Sequence, residues 1–156
     1  MKKILLVGES WISNATHFKG WDQFSSTTFH LGAEELISSI DSSKFKIEYL
    51  TSHDAAKDLP SKIEDLQKYD AIIFSDIGSN TLLLHPDVWI KGETFPNRLK
   101  LVKKYVELGG SFLMVGGYLS FQGINGSARY KNTPIEDLLP VDILPYDDRI
   151  EVPEGF

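Results

Sequence analysis

Four groups of polar residues in this 156-residue chain stand directly after short apolar runs. Glu9 and Ser10, with His17 further on, follow Lys3–Gly8. His53 and Asp54 follow Phe45–Leu50. Asp76, Ser79 and Asn80 follow Ala71–Ser75, and Gly116, Gly117, Tyr118, Ser120 and Gln122 follow Ser111–Val115. A carboxylate or an imidazole in such a place can take or give a proton. Paired glycines allow a sharp turn or the close approach of a ligand. His17 is the first candidate for acid–base work, because its imidazole titrates near neutrality and it lies in a long connection. Asp76 and Glu9 are the other two. The candidate ligand-binding set is Glu9, Ser10, Asp76, Ser79, Asn80, Gly116, Gly117, Tyr118 and Ser120. Residues 76–81 read either as a turn capped by Asp and Asn or as a cradle of backbone N–H groups for an anion.

Several chemistries are excluded. The chain has no cysteine, hence no disulfide, thiolate metal site or thiol nucleophile. Its four histidines show no HxH or HExxH spacing, so no metal site is expected. There is no GxxxxGK[ST] loop, no GxGxxG after the first apolar run and no GxSxG elbow, so no nucleotide cofactor is expected. The net charge of −6 argues against nucleic acid and anionic membranes, whose phosphates are held by Lys and Arg clusters. No apolar run approaches the roughly 20 residues that span a bilayer. Met1-Lys2-Lys3 followed by ILLVG lacks the length and cleavage site of a signal peptide, which fits a cytoplasmic location.

The elements that must position these residues follow from periodicity. Buried apolar runs at Lys3–Gly8, Ala71–Ser75 and Ser111–Val115 predict strands, the last buried on both faces. Phe45–Leu50 alternates like a half-exposed edge strand, and Val141–Leu144 reads as a last short strand. Helices are expected at Phe29–Ile40, Ser61–Lys68, Arg98–Leu108 and Pro134–Leu138. On Arg98–Leu108 the apolar stripe is Leu99, Val102 and Val106, and Arg98 with the lysines is assigned to the solvated face. Glu9–Thr27, Thr51–Leu59 and Asp76–Asn97 read as connections, with Trp11, Trp21 and Trp89 as loop anchors. Strands and helices thus alternate, which implies one α/β domain over 1–156. It would be a parallel sheet with helices on both faces, its ligand edge at the C-terminal ends of the strands.

The segments DIGSNTLLLHP (76–86), residues 95–141 and ILPYDDRIEVPEG (143–155), with VGESW (7–11), resemble a bacterial family of glutamine amidotransferase-like proteins. The resemblance implies the class I glutamine amidotransferase-like, flavodoxin-like three-layer fold. It also implies a Cys on a sharp G-x-C-x-G turn after a central strand, with a His and a Glu later in the chain. Here that turn reads Gly116-Gly117-Tyr118-Leu119-Ser120, and a phenol with pKa about 10 does not replace a thiolate. Family members run past residue 156, so the expectation is a domain lacking the C-terminal part of the family fold. A missing strand would expose an edge and favour a homo-oligomer.

Three functions remain open at this point. The first is a domain without glutaminase chemistry that binds a small polar or sugar-like metabolite at the rim. The second is a hydrolase or transferase using a His/carboxylate pair there. The third is a structural or oligomerisation subunit.

Overall fold

The computed structural model describes residues 1–155. Four parallel strands form its sheet: β1 (Lys2–Gly8), β4 (Phe45–Leu50), β5 (Ala71–Ser75) and β6 (Ser111–Val115), in the order β4-β1-β5-β6. Between β1 and β4 the chain adds an antiparallel pair, β2 (Ser10–Lys19) and β3 (Asp22–Leu31), and a short helix α1 (Glu34–Ser39). The remaining helices are α2 (Ser52–Asp58), α3 (Ile63–Leu66), α4 (Ser79–Leu83), α5 (Pro86–Trp89) and α6 (Arg98–Glu107). The result is the parallel α/β architecture that the alternation of elements implies.

The two faces of the sheet differ. The pairings Leu5↔Ile72↔Phe112 and Val7↔Phe74↔Met114 put these six side chains on one face. There they join Ala55, Leu59, Leu82, Leu99 and Val102 from the helices in one core. On the other face, Leu6↔Ile73↔Leu113 run from 1% exposed at Leu6 to 53% at Leu113. Helix α1 lies by the β4 end of that face, where Ile37, Ile40, Phe45 and Ile47 line one cleft of about 310 Å³. At the β6 end Leu113 and Val115 are exposed. The expectation that Ser111–Val115 is buried on both faces is therefore corrected. β6 is a sheet edge, and its second face has no cover among the described residues.

Other expectations change as well. Glu9–Thr27 is mostly hairpin, not loop. Its turn is the two-residue Gly20-Trp21, with Gly20 at φ 68° as a tight hairpin turn of the Gly-X type requires. Phe29–Leu31 belongs to β3, and the helix expected over Phe29–Ile40 covers only Glu34–Ser39. It cannot begin earlier, because the Gly32 N–H donates to Glu9 O at 2.8 Å and closes the base of the hairpin. Thr51–Leu59 contains α2, whose first turn is capped by Thr51 Oγ1 accepting from the Asp54 N–H at 3.3 Å. Asp76–Asn97 contains α4 and α5. Ser61–Lys68 and Pro134–Leu138 shrink to α3 and to a single 3₁₀ turn at Glu136–Leu138. Val141–Leu144 forms no strand: Ile143 is buried in the core and its N–H donates to Glu136 Oε1 at 2.9 Å.

Arg98 is not on a solvated face. It is fully buried and donates to Leu82 O (2.6 Å), Ala56 O (2.8 Å) and Ala55 O (3.0 Å), with longer contacts to Thr81 O and Leu59 O. These carbonyls belong to α2 and α4 or follow α2 directly, so one guanidinium caps both helices. Burial pushes its pKa down to about 10, which leaves it charged at neutral pH.

Candidate functional site

Glu9 and Asp76 leave adjacent parallel strands at the same level, since Gly8 pairs with Ser75. Both have left-handed backbone, with φ of 48° and 46°. For a non-glycine residue this conformation stores strain, and such residues gather at functional sites. The Glu9 turn is held on three sides. Its N–H donates to Ser75 O (2.8 Å), its carbonyl accepts from the Gly32 N–H and from Tyr49 Oη (2.8 Å each), and Ser75 Oγ donates to Glu9 Oε2. Asp76 Oδ1 accepts from the Leu119 N–H at 2.6 Å, which ties the end of β5 to the loop after β6. A Cβ on Gly117 would lie 2.8 Å from that same oxygen, so the glycine lets the loop sit against the carboxylate.

Two adjoining clefts share Glu9, Asp76 and Tyr118. One, of about 460 Å³, adds Gly116, Gly117, Phe121 and residues 148–151. The other, of about 560 Å³, adds Trp11, Leu119 and Ile124. Five of the expected ligand residues therefore meet at the rim: Glu9, Asp76, Gly116, Gly117 and Tyr118.

The others do not join them. Ser10 is buried, and its Oγ accepts from the Ser52 N–H at 2.8 Å. Ser79 is buried and its Oγ donates to Arg129 O, while its N–H donates to Ala128 O, so no free N–H cradle exists at that position. Ser120 is buried and its Oγ donates to Val115 O. These three serines brace the loops behind the site. Asn80 lies on α4 and lines neither cleft. His17 is also displaced. It sits near the far end of β2, stacked on Phe24 (4.6 Å between ring centroids), with Nε2 3.0 Å from Ser26 Oγ. At about 3.3 Å per residue it stands roughly 23 Å along the strand from Ser10. A His17–carboxylate pair at the rim is excluded by that distance.

Residues 147–151, which periodicity assigns to no element, also reach the loop after β6. Asp148 accepts from the Gln122 and Gly123 N–H groups at 3.0 Å each, and Asp147 from the Asn125 N–H at 2.8 Å. Arg149 is held by Asp147 and Glu151, and its guanidinium carbon lies 5.9 Å from the Tyr118 ring centroid, within cation–π range. The signal was the Asp-Asp-Arg run: two acceptors beside one cation suit a loop with unpaired N–H groups. Asp148→Ala should speed amide exchange at Gln122 and Gly123 by roughly 10-fold or more, since a bond to a charged acceptor contributes about 1.5–3 kcal/mol. Unchanged exchange by mass spectrometry would show the segment is not docked there.

Hydrogen bonds from Arg149 and from the Asn125 N–H hold the Asp147 carboxyl well below the usual carboxylate range. A depressed folded value contributes stability that is complete above the unfolded value of about 3.9 and is lost as pH falls below it. Docking of this segment should therefore be constant above about pH 4 and weaken only under more acid conditions. Amide exchange at Asn125 across that range is the check.

The family model described as "Putative glutamine amidotransferase" matches residues 3–156. The chain belongs to this family. It is 43% identical to "Cytoplasmic Protein STM3548 from Salmonella typhimurium", with a TM-score of 0.93 over 97% of this chain and 62% of that one. It is 44% identical to "Cytoplasmic Protein STM1381 from Salmonella typhimurium LT2", with a TM-score of 0.92 over 98% of this chain and 62% of that one. The chain thus spans about three fifths of the length of these structures. None of the curated proteins compared with the sequence matches it. The Gly116–Ser120 turn, where the sequence resemblance implies a thiol nucleophile, carries an exposed Tyr118. The strained backbone is elsewhere: Tyr118 is not among the left-handed residues, whereas Glu9 and Asp76 are.

Proposed function

We propose that the rim cleft binds a small hydroxyl-rich, sugar-like metabolite and that the domain performs no glutaminase chemistry. The observation that carries this reading is the convergence of two strained carboxylates, Glu9 and Asp76, with the rings of Trp11 and Tyr118 around shared space. Carboxylates accept hydrogen bonds from hydroxyls, and aromatic faces cover the C–H faces of a sugar ring. Gly116 and Gly117 leave the backbone between them open to close approach. Nothing comparable favours acid–base catalysis, because the one histidine proposed for it stands far from the carboxylates. Both similar structures are described as cytoplasmic proteins, and a cytoplasmic setting is part of this proposal.

Calorimetric titration with glucose, ribose, myo-inositol and gluconate tests it. At least one should bind with Kd of about 1 mM or tighter, and Tyr118→Ala should weaken that binding about 10-fold, or ~1.4 kcal/mol. No heat from any of the four, or binding indifferent to both Tyr118→Ala and Glu9→Gln, would overturn the reading. An assay for ammonia released from glutamine should give only the buffer rate, since the chain has no thiol.

A further inference from the structure

We propose that the β2–β3 ribbon is a dimerisation arm that pairs with the same ribbon of a second copy of this chain. The ribbon rises from the rim between Glu9 and Gly32 and runs through ten consecutive antiparallel pairs, from Ser10↔Leu31 to Lys19↔Asp22. At about 3.4 Å per residue it is roughly 30 Å long. Its base touches the body, through Ser10 on α2, the Phe29 ring against His53 and Trp11 at the cleft.

Its composition does not suit solvent on all sides. Trp11, Ile12, Phe18, Trp21, Phe24 and Phe29 are all exposed, and Trp21 at the turn is completely so. A lone two-stranded hairpin is marginal in water and gains independent stability only from further strands or packing. The cross-strand pairs do not hide the apolar groups. Ile12 and Phe29 lie on one face with Phe18, while Trp11, His17 and Phe24 lie on the other. Both edges are also open. The register contains no proline or bulge, and the only charged residues from 10 to 31 are Lys19 and Asp22 beside the turn. Edges left without such devices are templates for pairing.

A second copy is the occupant these features fit. The exposed apolar side chains are divided between both faces of the ribbon and its turn, so a second ribbon paired edge to edge gives each face further apolar neighbours. The ribbon's single cation and single anion cancel, so two ribbons meet without the like-charge repulsion that a net charge of −6 imposes elsewhere. The inferred pairing is antiparallel, β2 edge against β2 edge about a two-fold axis near Ala15, midway along the strand, which brings that residue to its own copy. An anionic lipid surface is the competing occupant, and it would call for cations that the ribbon lacks.

The test is solution mass by light scattering at micromolar concentration, on wild type and on the double variant Phe18→Ser, Trp21→Ser. Wild type should be a dimer, or a larger even-numbered assembly, and the double variant a monomer whose body melts as before. Because the chain has no cysteine, Ala15→Cys offers a second readout that does not depend on the double variant folding. Mild oxidation should give a covalent dimer from Ala15→Cys and none from the control Ser127→Cys. A monomeric wild type would overturn the proposal. So would a double variant that stays dimeric, no covalent dimer from Ala15→Cys, or a monomer that instead sediments with phosphatidylserine vesicles. The ribbon tip stands well away from Glu9, so sugar titrations of the double variant report on the cleft separately.

Discussion

Arg98→Met should lower stability by about 3–5 kcal/mol, because it removes the only charged donor from a cluster of buried carbonyls. The guanidinium reaches Leu82 O, Ala55 O and Ala56 O within 3.0 Å from a site with no solvent exposure. Methionine fills most of the volume but donates nothing, so Leu82 O and Ala56 O lose their donor in a dry place and Ala55 O keeps only the 3.4 Å bond from the Leu59 N–H. For a chain of this length the melting temperature should fall by roughly 10–15 °C. Arg98→Lys should recover little of this, since one ammonium cannot fan its donors across two helix ends. Calorimetric melting measures both, and a loss below about 1 kcal/mol would mean the carbonyls find other partners. Far-UV circular dichroism should show the loss as helix melting, because α2 and α4 are the elements left uncapped.

Gly8→Ala should cost about 3 kcal/mol or more and should damage the rim as well as the fold. Gly8 has φ 108°, and a Cβ there would stand 2.0 Å from Ser75 O and 2.9 Å from Ile77 Cβ. Neither neighbour is a flexible side-chain tip, so β1 and β5 must separate at their C-terminal ends. That separation breaks the Glu9 N–H bond to Ser75 O and moves Glu9 away from Asp76. Amide exchange at Glu9 should rise more than exchange in the middle of β1, and any sugar binding should be lost with it. Gly116→Ala is the matched control. It has no atom within 4 Å of a Cβ and no left-handed φ, so it should change stability by less than about 0.5 kcal/mol. Similar losses for the two variants would refute the argument.

The parallel sheet was legible because β1 and β5 carry apolar runs that only a sheet covered on at least one face explains. Leu5, Leu6, Val7, Ile72 and Phe74 are all buried, as such runs require. The hairpin was not legible. Strand patterns are read from alternation, and alternation arises when one face is buried and the other wet. In residues 10–31 nearly every side chain is exposed, so no face imposes a period, and only Gly20 marked the turn. Arg98 was misplaced for a related reason. Helical periodicity counts apolar residues, and a buried cation paid in hydrogen bonds is invisible to that count.

From the sequence alone came the fold class, the family and the lack of any thiol. Those depend on residue types and on local runs, which the order of amino acids states directly. Tertiary structure decided which of the rim residues face one another. It kept Glu9, Asp76, Gly116, Gly117 and Tyr118, turned three serines inward as braces, carried His17 away on the ribbon and brought Asp148 and Arg149 back. Such convergence depends on strand order, register and backbone direction after each strand, and those are properties of the packed chain rather than of any one segment.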